Sequence, residues 1–287
     1  MPSFSLPRWA AVLLPWSAAL VMWFLAYGPN TFVALGLMVH PVESTPWAIT
    51  KETVVDTVAP VLLVLGVMPA VWLICDRVCG QTWPRLGVVP RWNRWELVWI
   101  PASFLLACGA GRILTLVNDL AAHLVPDQVH RYRETGLDQG DFPMLTTSML
   151  ISGPAEEIIL VPALILLLRQ GGARPWVAVM IAVAARVGIH LYYGWPMIFG
   201  WAIWTLLLIA IWRVTGTVLG AILAHALNNL TASMQLTGIP GGDALADIYT
   251  VLGWVGIAAF LPLCAWLFLQ WQHDRKSVPA ADAGASA

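Results

Sequence analysis

Charged residues are scarce in this sequence, and neither sign of charge predominates. Only 11% of its 287 residues are Asp, Glu, Lys or Arg, and the formal net charge is -1 at pH 7. A chain without a surplus of basic residues has little attraction for a polyanion, so nucleic acid is not expected as a partner. No polar stretch is long enough to hold a core of its own, which excludes an independent soluble domain.

Cysteine is also rare, with only four residues in the chain. This number in a chain of this length does not indicate a disulfide framework, which is typical of short secreted domains. Cys75 and Cys79 are four apart on one helical face, a spacing that can support a metal site. Because a single pair is weak evidence, we interpret both as small buried hydrophobic residues.

Apolar residues are abundant: they make up 59% of the chain, and the mean hydropathy is +0.74. A helix that crosses a bilayer needs roughly 20 of them in succession. We therefore predict an all-α polytopic membrane protein with about eight transmembrane helices in one intramembrane domain, residues 1–273. The Ala- and Ser-rich tail, 274–287, is expected to be disordered and cytoplasmic. The predicted spans are approximately 9–27, 53–75, 95–117, 142–168, 176–193, one that ends near 213, 216–236 and 249–271.

Basic residues are distributed unequally between the two sides of this arrangement. With an inward N-terminus, ten of the fifteen basic residues fall in inside segments and three in outside loops. Cytoplasmic loops of membrane proteins carry such an excess of Lys and Arg. We therefore expect both termini in the cytoplasm. We expect the surrounding membrane to be a bacterial inner or plasma membrane.

The apolar run 142–168 contains two adjacent carboxylates, Glu156 and Glu157. An ionised carboxylate near the centre of a bilayer costs about 2.5–3.5 kcal/mol on insertion scales, so this pair requires polar partners. Later predicted spans supply four candidates: Arg186, His190, His225 and Asn229.

Helical spacing predicts how these six residues are arranged. Arg186 and His190 are four apart, as are His225 and Asn229, so each pair shares one face of its helix. Glu156 and its neighbour are about 100° apart on their helix and cannot aim at one point. We expect one Glu to face a reaction cavity and the other to be neutralised by a cation, with Arg186 as the best placed candidate.

A carboxylate, two imidazoles and a carboxamide in a desolvated cavity suit hydrolysis. The carboxylate can take a proton from water, and His and Asn side chains can stabilise the oxyanion that develops on an attacked carbonyl. The set Glu156, His190 and His225 is also a ligand combination that zinc accepts, with one position left for water. The residue types alone leave both mechanisms open.

The order Glu-Glu, then His190, then His-x-x-x-Asn at 225–229, all within predicted spans, resembles the CPBP family of CAAX proteases and bacteriocin-processing enzymes. The resemblance covers roughly 147–234, within a family-like core at about 142–236. It implies an intramembrane endopeptidase in which Glu156 activates water, while His190, His225 and Asn229 position that water and stabilise the oxyanion. It implies no required cofactor; a divalent metal such as zinc is the alternative.

Two positions depart from the family motifs Glu-Glu-x-x-x-Arg and Phe-x-x-x-His. Val161 stands at the motif Arg and Arg186 at the motif Phe. A missing Arg would leave Glu157 as an unpaired charge in the membrane, which is costly. We hypothesise that Arg186 replaces the missing Arg as the partner of Glu157 from the neighbouring helix.

The predicted function is hydrolysis of a peptide bond in a membrane-associated protein or peptide, with the lipid bilayer as the surrounding medium. A non-catalytic member of the same fold, acting as an immunity factor or a membrane scaffold, is the alternative. A third interpretation is a proton-coupled transporter that uses the Glu pair as a relay. Transporters of that kind are commonly built from internal repeats, and neither the Glu pair nor the His-x-x-x-Asn motif recurs in the first half.

Overall fold

A computed structural model describes residues 8–39, 73, 80, 83–88, 96–129, 150 and 153–277. Within these residues the chain is helical and contains no strand, which confirms the all-α prediction. The helices are α1 (Arg8–Val39), α2 (Glu96–Leu124), α3 (153–170), α4 (Pro175–Ile189), α5 (Ile198–Thr215), α6 (Leu219–Thr237) and α7 (Gly242–Ser277). Shorter helical turns are Trp83–Leu86, Pro126–Gln128, Leu191–Tyr193 and Trp195–Met197.

Four of the described helices are long and apolar enough to cross a membrane: Trp9–Gly28, Leu97–Leu124, Trp195–Thr215 and Gly242–Leu263. The chain is therefore an integral membrane protein, although four spans are fewer than the eight predicted. The second predicted span, 53–75, lies outside the described residues apart from position 73. α4 has only 15 residues, about 22 Å at ~1.5 Å per residue, which is less than the ~30 Å of a hydrocarbon core.

Three helix ends differ from the predicted span ends. The first predicted span ends at 27, but α1 continues to Val39 through a second apolar stretch. α2 likewise extends past the predicted end at 117 to Leu124. α7 begins at Gly242, and Asp243 in its first turn interacts favourably with the positive end of the helix dipole.

α2 lies against α5, α6 and α7, while α1 packs against α3, α4 and the turn at Leu191–Tyr193. Glycines let α2 and α7 approach closely: a Cβ on Gly109 would lie 2.6 Å from the backbone of Gly256, and one on Gly256 would lie 2.0 Å from the carbonyl oxygen of Leu105. Close approach at small residues is a common basis of helix association in membranes. The two groups of helices leave a polar-lined cavity between them.

Candidate active site

The Glu pair lies in the first part of α3, immediately before an irregular segment of that helix. Residues Ile159–Ala163 form a π-helical segment that contains Pro162, and all five are buried. Proline has no N–H to donate, and its ring collides with the carbonyl four residues earlier in a regular α-helix. The wider turn accommodates Pro162, and π-helical segments of this kind are frequent at functional sites.

The two carboxylates have different surroundings, as the helical spacing predicted. Glu156 lines the cavity and is 9% exposed, whereas Glu157 is 0% exposed and is not among the lining residues. One carboxylate therefore faces the space where a substrate would bind, and its neighbour points into the protein interior.

Arg186 on α4 contacts both carboxylates. Its Nη1 and Nη2 donate to the two oxygens of Glu157 at 2.9 and 3.0 Å, a bidentate ion pair. Nη1 also lies 3.4 Å from Glu156 Oε2, and the guanidinium lies 4.9 Å from the centre of the Trp204 ring. The contact between Arg186 and Glu157 that we hypothesised from the two motif departures is present, and it is fully buried.

His190 follows the last residue of α4, with φ -111° and ψ 9°. Its Nδ1 is 2.9 Å from the carbonyl oxygen of Arg186, which can only accept, so Nδ1–H is the donor. In the neutral ring Nε2 is then an acceptor, and it lies 3.9 Å from Glu156 Oε2. This pair is too far apart for a direct hydrogen bond but close enough to share one bridging water.

His225 approaches the Glu pair from α6. Its Nδ1 lies 2.7 Å from Glu157 Oε1, which accepts this proton as well as one from Arg186 Nη1. Asn229 lies one turn further along α6 and also lines the cavity. A Cβ on Gly153 of α3 would lie 3.0 Å from both the Asn229 amide nitrogen and the His225 ring, so only glycine fits here without a shift.

The cavity has a volume of about 600 Å³ and combines polar groups with aromatic rings. It contains four of the six predicted site residues, while Glu157 and Arg186 lie directly behind its wall. Its lining is Gly111, Leu114, Thr115, Glu156, His190, Tyr192, Tyr193, Trp201, Trp204, His225, Asn228, Asn229, Ala232, Gln235, Leu236, Asp243 and Tyr249.

Sequence reasoning did not find the two tryptophans in the wall of this cavity. The ring of Trp201 stacks on His190 with 3.5 Å between centroids, and Trp204 meets the His225 ring edge-on at 5.0 Å. These two tryptophans are three apart on α5 and therefore share a face. With seventeen tryptophans in the chain, that spacing did not distinguish them from residues that only pack.

In the described part of the chain, no group of three or more His, Cys, Asp or Glu is placed to hold a metal ion, and this includes the alternative set Glu156, His190 and His225. The pair at Cys75 and Cys79 lies outside the described residues. We derive no step through a metal.

Residues 138–231 of the chain, about a third of its length, match the family model described as Type II CAAX prenyl endopeptidase Rce1-like. The matched segment contains all six predicted site residues, from Glu156 to Asn229. No curated protein and no solved structure matches the chain.

Proposed function

We propose that this chain is an intramembrane endopeptidase of the CPBP family of CAAX proteases, an assignment that the match over residues 138–231 supports. It hydrolyses a peptide bond in a membrane-associated protein or peptide, using water activated by Glu156. The observation that carries this proposal is the placement of Glu156 on the cavity wall, with His190 Nε2 3.9 Å from its carboxylate.

The distance between these two acceptors suits one shared water. A water that donates to Glu156 Oε2 and to His190 Nε2 at about 2.8 Å each can span 3.9 Å, with its lone pairs directed away from both groups. As the water oxygen bonds to the substrate carbonyl carbon, its proton passes to Glu156 and the π electrons of the carbonyl move to the oxygen. Glu156 then gives the proton to the amine nitrogen as the C–N bond breaks.

The oxyanion formed in this step needs hydrogen-bond donors within the cavity. Asn229 and His225 lie on one face of α6 beside the first turn of α3, where the side-chain amide of Asn229 can donate to it. Glu157 holds the His225 ring through Nδ1, and Arg186 holds Glu157. In this proposal Glu157 and Arg186 support the reaction without touching the substrate.

The remaining features of the proposal come from the sequence. They are eight transmembrane spans, cytoplasmic termini, a bacterial inner membrane, and catalysis without a required metal or nucleic-acid partner. The alternative is a non-catalytic protein of the same fold, an immunity factor or a membrane scaffold, since Val161 and Arg186 differ from the family motifs.

Cleavage of a quenched peptide library by the purified protein in detergent tests the proposal. We expect Glu156→Gln to lower turnover at least ~100-fold, as is usual when a general base is lost. Asp243→Asn is the matched control, because it makes the same change to another carboxylate of the same cavity and should retain activity. Activity that a chelator abolishes would contradict the metal-free mechanism. A folded wild-type protein that cuts nothing would favour the non-catalytic alternative.

A further inference from the structure

The indole of Trp201 lies flat against the imidazole of His190. Their ring centroids are 3.5 Å apart and their planes differ by 18°, which is closer than any other aromatic contact around the cavity. Trp201 comes from α5, whereas His190 follows the end of α4. Both side chains are buried. The contact therefore joins two helices at the residue on which the proposed water depends.

The other aromatic rings beside His190 are further away: Tyr192 lies 6.0 Å and the stacked ring of Tyr193 6.4 Å from it between centroids. Among the described residues, the hydrogen bond of the His190 ring runs from Nδ1 to the carbonyl oxygen of Arg186. A ring held at one atom can still tilt about that bond, and such a tilt moves Nε2 on the opposite side. The indole face restricts this tilt, because a rotated imidazole would collide with it.

The indole N–H does not explain a tryptophan at this position. Trp201 Nε1 is buried and has no hydrogen-bond partner in the described part of the chain. A buried donor without a partner costs free energy, and a phenylalanine would avoid that cost. What Trp201 contributes is therefore the area of its ring face, which is larger than that of phenylalanine.

We propose that Trp201 is a positioning residue, whose indole face holds the His190 ring in the plane that directs Nε2 towards Glu156. This inference rests on the proposed function, in which those two atoms share the attacking water. Its consequence is that the geometry of the reaction depends on a residue outside the Glu, His and Asn motifs.

Kinetics of Trp201 variants separate positioning from packing. We expect Trp201→Leu to lower kcat about 10- to 100-fold with KM unchanged, as a displacement of ~1 Å in an active site does. Trp201→Phe should restore most of the loss, since it keeps an aromatic face against His190. In a His190→Ala background, the Trp201 substitutions should have no further effect on kcat. Equal effects in both backgrounds would overturn the proposal.

Trp212→Leu is the matched control. It removes the same ring from the same helix, where Trp212 packs partly buried against the core away from the cavity. We expect it to lower the melting temperature as Trp201→Leu does and to leave kcat within about twofold. If both variants lower kcat in proportion to stability, Trp201 only packs.

The position of the ring can be measured without turnover. An imidazole proton beneath an indole face is shifted upfield by the ring current, so His190 in histidine-labelled protein should give a displaced NMR signal. His190→Gln identifies this signal among the six histidines. Trp201→Leu should return it to the ordinary range, also in the Glu156→Gln background. A His190 signal that stays the same when Trp201 is replaced by Leu would refute the positioning role. If the wild-type protein cuts nothing but its His190 signal is displaced and depends on Trp201, the proposed function is wrong and the positioning role stands.

Discussion

Replacing Arg186 should lower the stability of the protein far more than replacing another intramembrane arginine. Arg186 is completely buried and makes two hydrogen bonds of 2.9 and 3.0 Å to Glu157. Without it, the fully buried carboxylate of Glu157 keeps only His225 as a partner among the residues that the structure describes. Removing one partner of a buried pair typically costs about 3–5 kcal/mol, which is a large part of the ~5–15 kcal/mol that stabilises a protein.

The same reasoning predicts how the damage can be repaired. Arg186→Met alone should unfold readily, whereas Arg186→Met combined with Glu157→Met removes both charges and should recover most of the stability. The combination Val161→Arg with Arg186→Phe returns both positions to the family motifs. Because Val161 is buried and lies four residues after Glu157 on the same helix, we expect this pair to be more stable than either single variant.

Unfolding in detergent, followed by helical signal and by cleavage of the peptide library, measures these effects. Arg112→Met is the control, because Arg112 lies within the membrane-spanning part of α2, Leu97–Leu124, and 5.0 Å from the Trp254 ring. This variant loses a similar cation–π contact without breaking the Glu157 pair. We expect a loss of about 1 kcal/mol there. If Arg186→Met unfolds no more easily than Arg112→Met, the buried ion pair is not what stabilises the site.

Two further predictions concern α3. Gly153→Ala places a methyl group 3.0 Å from Asn229 and His225 and should lower kcat about tenfold. Gly36→Ala is the control, because no atom lies within 4 Å of the added methyl group. It should leave kcat unchanged and raise stability by up to ~1 kcal/mol. Equal kcat values for the two variants would show that close packing at Gly153 does not position α6. Pro162→Ala removes the cause of the π-helical segment, so α3 should become more regular and rotate its two halves by about 100° relative to each other. We expect this variant to lose activity without losing thermal stability, and full activity would show that the site does not need the wider turn.

The sequence predicts the class of fold well because hydropathy is a property of long stretches. It predicts the ends of helices less well, as α1 shows. Gly28 and the proline that follows it are breakers in a soluble chain, yet the helix continues to Val39. An interrupted helix leaves backbone N–H and C=O groups without partners, and the apolar residues beyond Gly28 favour a continued helix in which these groups stay paired. A Gly-Pro pair in the sequence indicates a helix end, but it carries no information on the free energy lost by leaving these backbone groups unpaired.

Within the site, the sequence predicts contacts that follow from helical periodicity or from charge. The division between Glu156 and Glu157 follows from their 100° separation, and the contact with Arg186 follows from the cost of an unpaired charge. The contact of His225 with Glu157 joins residues 68 apart on different helices. It depends on how α3 and α6 pack, which single-helix spacing does not contain.

The position of Arg186 changes how the site is assembled. In the family pattern the arginine stands on the same helix as the Glu pair, whereas here it reaches across from α4. Arg186 also holds His190 through its carbonyl oxygen at 2.9 Å. One residue therefore fixes Glu157 with its side chain and His190 with its backbone. Any separation of α3 from α4 both breaks the ion pair between Arg186 and Glu157 and moves His190 away from Glu156. The site therefore forms only when these two helices are packed.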